Sequence, residues 1–153
     1  MNSVLPWLRG FRAVLHIVVG VFLSAIILLT GGPRIWGSRV EHIMSWWSGV
    51  MLDIFNIEVR VNGTGIKGAR LLVSNHVSWI DILLIGSLEP TRFVAKSEIK
   101  HWPVVGWLAN AIGTFYIRRG KGGSKPLLEK VVPRLQAGGS FVLYPEGTTT
   151  DGK

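Results

Sequence analysis

From Ala13 to Thr30 the chain reads AVLHIVVGVFLSAIILLT, with no Asp, Glu, Lys or Arg. That is near the shortest helix able to cross a hydrocarbon core of about 30 Å. Such a run belongs in a bilayer, in the core of a soluble fold or in a cleaved secretory signal. A secretory signal has an apolar core of only about 7–15 residues, so the membrane element is the leading expectation. Arg9 and Arg12 precede the run while Arg34 and Arg39 follow it, so charge asymmetry sets no orientation. Gly31-Gly32-Pro33 predicts the end of the helix, because Gly is a poor helix former and Pro lacks the amide donor.

A second apolar pattern follows at three- and four-residue spacing: Trp36, Val40, Ile43, Met44, Trp47, Met51, Ile54 and Phe55. Glu41, His42, Ser45, Ser48 and Asp53 fall between them, which predicts an amphipathic helix. Trp7, Trp36, Trp46 and Trp47 all lie in this N-terminal third, and indoles favour the headgroup level of a membrane. Residues 1–56 are therefore expected to form a membrane-associated helical hairpin, spanning or re-entrant.

Beyond Asn56 the periodicity changes. Strands are expected at Ile57–Val61, Leu71–Ser74, Phe93–Ala95, Thr114–Ile117 and Phe141–Tyr144. Helices are expected at Ser78–Leu88, Trp102–Ile112 and Lys125–Gln136. Alternating strands and helices predict an α/β fold with a mainly parallel sheet flanked by helices over residues 57–153. Ligands of such sheets gather where strands end and loops begin. His76, Arg118 and Glu146 each come just after a predicted strand. Gly120–Ser124 reads as a loop beside that edge.

Charge and cysteine usage limit the chemistry. Seventeen Lys and Arg against nine Asp and Glu give a net charge of +8, which calls for an anionic partner. The basic residues are not interleaved with aromatics in any nucleic-acid motif, so no nucleic-acid partner is expected. With no Cys there is no thiolate nucleophile, and no metal site is expected.

Three short constellations remain. In Asn75-His76-Val-Ser-Trp-Ile-Asp81, a carboxylate five residues after a His can fold back, fix the imidazole tautomer and leave the other nitrogen as a base. A helix-capping region would look the same, so this motif alone decides nothing. In Gly113-Thr-Phe-Tyr-Ile-Arg118-Arg119, a strand delivers guanidinium groups suited to an oxyanion, or to a solvated basic edge. Tyr144-Pro145-Glu146-Gly147-Thr148 places an acid at the mouth of an apolar strand.

In this order the three resemble the signature of the 1-acylglycerol-3-phosphate (lysophospholipid) acyltransferase family. Asn75, His76 and Asp81 match its NHxxxxD motif; Gly113, Phe115, Ile117 and Arg118 match its Gly–aromatic–Arg strand; YPEGTT stands where FPEGTR is usual. The resemblance implies a membrane-bound O-acyltransferase of lipid biosynthesis that moves a fatty acyl group from acyl-CoA or acyl carrier protein to a lysolipid hydroxyl. His76 and Asp81 would be catalytic, and Asn75, Gly113, Arg118, Glu146, Gly147 and Thr148 would bind substrate. Arg118, Glu146 and Gly147 would hold the acceptor's polar head, while Lys96, Lys100, Lys121 and Lys125 are candidates for donor phosphates or anionic headgroups. The implied partners are membrane lipid, lysolipid and the thioester donor, with no further cofactor, at a bacterial inner membrane with the site facing the cytoplasm. Thr149 replaces the usual Arg, which resembles branches acylating other lysolipids, including lyso-ornithine lipid. The family's fourth, proline-bearing motif would lie beyond Lys153, so the stretch reads as a partial catalytic domain. Two other readings stay open: a thioester hydrolase using the same His–Asp pair, and an inactive lipid-binding fragment.

Overall fold

The computed structural model describes residues 6–65, 68–118 and 125–145. Its elements run α1 (Pro6–Leu29), α2 (Gly32–Trp36), α3 (Arg39–Phe55), β1 (Leu71–Val73), α4 (Ile80–Leu88), β2 (Arg92–Lys96), α5 (Val105–Ala111), β3 (Phe115–Ile117), α6 (Lys125–Gln136) and β4 (Phe141–Leu143). A 3-10 helix at Ser97–His101 links β2 to the turn before α5.

The four strands form one sheet in the order β1-β4-β2-β3, and every pairing is parallel. Period-two alternation splits the strand residues between two layers. Leu72, Phe93, Val142 and Tyr144 pack with Met44 of α3 and Ile85 of α4. Val94, Phe115, Ile117, Phe141 and Leu143 pack with Leu127, Val131 and Leu135 of α6. The expected α/β fold, a parallel sheet flanked by helices, is what forms.

Helix α1 is the described helix long and apolar enough to cross a membrane. Its 24 residues rise about 36 Å. The side it turns to the protein is mostly small or polar: Ala13, His16, Gly20 and Ser24 are buried there, with Ile27 the one large apolar residue among them. Trp7, Phe11, Val14, Leu15, Val18 and Phe22 are all more than half exposed. A soluble core helix has the reverse distribution, whereas a membrane helix packs through small residues and turns large apolar ones to lipid.

α1 and α3 are joined by reciprocal bonds between His16 and Trp47. His16 Nε2 donates to the Trp47 carbonyl at 2.9 Å, Trp47 Nε1 donates to the His16 carbonyl at 3.0 Å, and the rings stack at 5.0 Å. Ala13 also shares a cluster with Met51, Leu52 and Ile54 of α3 and Leu83 of α4. The N-terminal helices thus share apolar core with the α/β layer. Glu41 of α3, buried, pairs with Arg92 of β2 at 3.0 Å and with Arg134 of α6, tying the layers by charge.

Several expected boundaries differ. Helix α1 begins at Pro6 rather than Ala13, and Gly31-Gly32-Pro33 starts the short helix α2. Pro33 occupies its first turn, where a missing amide hydrogen costs nothing. Ile57–Val61 is extended but joins no strand among the described residues; Ile57 and Val59 instead pack on the α3–α4 cluster. The alternation there was real, but it came from one-sided burial and not from a ladder. Helix α4 starts at Ile80, not Ser78, because Val77 and Ser78 donate their amides to Asp81. The helix expected at Trp102–Ile112 is confined to Val105–Ala111, since Pro103 and a positive φ at Val104 break it before that point.

Candidate active site

His76 lies three residues beyond the end of β1 and Asp81 lies in the first turn of α4. Their spacing lets the chain turn once and bring the carboxylate back under the ring. Asp81 Oδ2 lies 3.1 Å from His76 Nδ1 and accepts the amide hydrogens of Val77 at 2.7 Å and Ser78 at 2.8 Å. One oxygen thus holds the imidazole and satisfies two amides at a helix start. The capping and histidine-orienting readings of this motif are both true of the same atom.

Burial by itself would raise the Asp81 pKa. The amide bonds from Ser78 and Val77, together with the bond and charge of His76, outweigh it and hold the carboxyl below its ordinary value. Asp81 is therefore a carboxylate at neutral pH, able to accept a proton carried on His76 Nδ1. Ser78 Oγ accepts the Ile80 amide at 3.3 Å, a capping role.

Against the other side of the ring lies Tyr144, the residue that follows β4. The two rings stack at 4.3 Å and 24°. Since β4 is the neighbour of β1 in the sheet, Tyr144 lies within reach of His76 in the loop after β1. Its hydroxyl is buried with no partner among the described residues. Desolvation, reinforced by the Asp81 charge, pushes its pKa far above the ordinary phenol value. Tyr144 is a neutral ring that restrains His76, a role that its place in YPEGTT did not reveal.

The remaining expected site residues are spread out. Asn75 is exposed beside His76, and its carbonyl accepts a bond from Ser74. Gly113 sits at φ 73°, where an added Cβ would lie 3.1 Å from both Arg92 and Pro33, so close packing already demands glycine there. Glu146, Gly147 and Thr148, with Arg119 and Lys121, lie outside the described residues. Arg118 is exposed after β3 and lines a groove of about 590 Å³ with Lys100, His101, Tyr116 and Lys130; neither His76 nor Asp81 lines it. No ion pair among the described residues joins Lys100, Arg118 or Lys130 to a carboxylate. Tyr116 contributes a buried hydroxyl without a described partner, its pKa pushed up to about 12 by desolvation. A groove lined by these cations is suited to an anion. Lys100 was among the basic candidates in the sequence. Lys130 and Tyr116 were not, because nothing in their spacing shows that α6 and β3 meet there.

Residues 56–153 match the family model described as Acyltransferase. The chain is 37% identical over 150 residues to a lyso-ornithine lipid O-acyltransferase of Pseudomonas aeruginosa, covering 95% of this chain and 57% of that protein. A protein of the same name from Rhodobacter capsulatus is 31% identical over 150 residues, with 95% and 53% covered. A 1-acyl-sn-glycerol-3-phosphate acyltransferase of Neisseria meningitidis is 39% identical over 118 residues, with 75% and 46% covered. The chain thus spans little more than half the length of these two lyso-ornithine lipid O-acyltransferases. The crystal structure of the 1-acyl-sn-glycerophosphate acyltransferase PlsC from Thermotoga maritima shares the fold, with a TM-score of 0.55 and 21% identity over 93% of this chain and 64% of that one.

Proposed function

Because the chain belongs to the acyltransferase family, we propose that it carries the catalytic base of a membrane-bound lysolipid O-acyltransferase. The His76–Asp81 pair at the C-terminal edge of a parallel sheet carries this reading. Nε2 of His76 takes the proton of the acceptor hydroxyl as that oxygen attacks the thioester carbonyl of acyl-CoA or acyl carrier protein. The carbon–sulfur bond then breaks, and the imidazolium returns the proton to the leaving thiolate. Asp81 stabilises the imidazolium through Nδ1–H, and Tyr144 restrains the ring. These 153 residues hold no Cys to form an acyl-enzyme, and Ser78 is engaged at the helix start. Arg118 and its cationic groove would receive an anionic part of a substrate. Glu146, Gly147 and Thr148, which follow Tyr144 closely in the chain, would contact the acceptor, as would Asn75; Gly113 would act as a packing residue beside it.

Residues 1–56 would form the membrane-associated element and 57–153 the catalytic part. The outward-facing apolar stripe of α1 supports the membrane placement. Lyso-ornithine lipid is the favoured acceptor, supported by the names of the relatives and by Thr149. A bacterial inner membrane with the site facing the cytoplasm is the setting that fits these relatives.

The test is acyl transfer by the intact protein. His76→Ala should lower turnover by about 10²–10⁴-fold or more while leaving membrane association unchanged. Normal activity in that variant rejects the base assignment. Release of free fatty acid at the same rate with and without lysolipid would identify a hydrolase instead.

A further inference from the structure

After β2 the chain exposes a short apolar segment that the catalytic reading does not use. Trp102 and Trp107 are each 55% exposed, Val104 is 44% and Val105 is 48%. Two indoles and two valines held in water within six residues form a surface that needs a partner. The backbone turns them outward sharply. Val105 donates its amide to the Pro103 carbonyl at 2.7 Å, with Val104 between them at φ 61° and ψ −62°. This is the rarer, strained form of γ-turn, adopted here by a β-branched residue.

The position of the segment indicates what the partner is. Helix α5, which carries Trp107, packs on α1: Ala111 shares a cluster with Ile27, and Leu108 lies against Gly20. The exposed residues are therefore carried on an element seated directly against the helix whose large apolar side chains face outward. Immediately before Trp102 stand Lys100 and His101, both on the cationic groove. Cations flanking exposed indoles match an anionic bilayer surface, where the rings enter the boundary between headgroups and chains. The strands are all parallel, so this segment leaves β2 at the same sheet edge from which His76 leaves β1.

We propose that Trp102–Trp107 is a second membrane-docking point, seated in the interface of an anionic bilayer beside α1. It rests on the membrane placement of α1 and goes beyond it, because two contacts fix the tilt of the domain where one helix would leave it free. The tilt turns the His76 edge of the sheet towards the lipid surface.

These 153 residues hold no Cys, so once any Cys in the rest of the protein is replaced by Ser, one introduced thiol is a unique labelling site. Val105→Cys and, separately, Trp102→Cys are labelled with a fluorophore in the intact protein, which is then reconstituted into vesicles of phosphatidylcholine and phosphatidylglycerol. Emission should be quenched several-fold more by a spin-labelled phospholipid than by aqueous iodide. A control label at Glu58→Cys, whose side chain is 73% exposed, should show the opposite order. Iodide access at both loop positions in protein that still floats with the vesicles overturns the docking point and leaves the α1 reading standing. Protection from both quenchers shows that protein covers the segment, and also overturns it. Protein that fails to float with vesicles counts against the membrane placement of α1 itself, and the docking point falls with it. Lys100→Glu should reduce lipid-borne quenching more in phosphatidylglycerol vesicles than in neutral ones.

Discussion

His76 and Tyr144 lie face to face, with ring centroids 4.3 Å apart, while Asp81 holds the edge of the same imidazole at 3.1 Å. The histidine is thus fixed in two directions by groups of different origin, one local in sequence and one delivered across the sheet.

Asp81→Asn tests the local arm. An amide oxygen can still accept hydrogen bonds, but it cannot stabilise an imidazolium by charge. Turnover should fall by about 10²–10⁴-fold, and the fold should lose about 1–3 kcal/mol from weaker bonds to Val77 and Ser78. Steady-state kinetics beside thermal unfolding of the reconstituted protein separates the two losses.

The same carboxyl sets a pH dependence of stability. Its folded pKa lies below the unfolded value of about 3.9, so the folded state binds the proton less readily than the unfolded chain. The Asp81 contribution is therefore fully present above about pH 4 and is lost as pH falls through the lowered folded value. Unfolding temperatures measured across the acid range should decline less steeply in Asp81→Asn than in the parent protein.

Tyr144 tests the long-range arm. Its hydroxyl has no described partner, so Tyr144→Phe should change stability by less than about 1 kcal/mol, if anything upward, and keep activity. Tyr144→Ala removes a buried ring and the support of His76. It should cost about 3–5 kcal/mol and most of the turnover. Equal activity in the two variants would show that the stack does not position the base.

Glu41 lies buried between Arg92 and Arg134, and burial depresses the pKa of both guanidinium groups. Glu41→Ala would leave two partly buried cations without their counter-charge, at a cost of up to about 3–5 kcal/mol. Denaturant unfolding in detergent should register that loss, and removing the cations as well should recover part of it.

Gly20 faces the indole of Trp47, where an added Cβ would lie 2.6 Å from Nε1. Gly20→Ala should displace the indole from the His16 carbonyl and cost about 1–3 kcal/mol. In a Trp47→Phe background the penalty should shrink, because the clashing atoms are gone. A double-mutant cycle by thermal unfolding measures that coupling.

Much of the molecule was legible in one dimension. The apolar run of α1 and the range Lys125–Gln136 of α6 are encoded by composition and period, which depend on residues close in sequence. The contact of His76 with Asp81 was legible as one of two possibilities, since a single turn can close it but a helix-capping region has the same spacing. At Ile57–Val61 period misled, because alternating burial needs only one apolar neighbour whereas a strand needs a hydrogen-bonded partner.

The sequence by itself determined that α1 would be apolar and that strands would alternate with helices, and it allowed His76 to meet Asp81. Only the tertiary structure decided the order β1-β4-β2-β3. That order brings Tyr144 onto His76, and packing of α6 on the sheet gathers Lys130 with Lys100 and Arg118. The buried bridge of Glu41 to Arg92 and Arg134 also waits on that packing. The physical reason is range. A turn or a helix is closed by bonds between near neighbours, whereas pairing between strands and packing between layers depend on which distant apolar faces can be buried together.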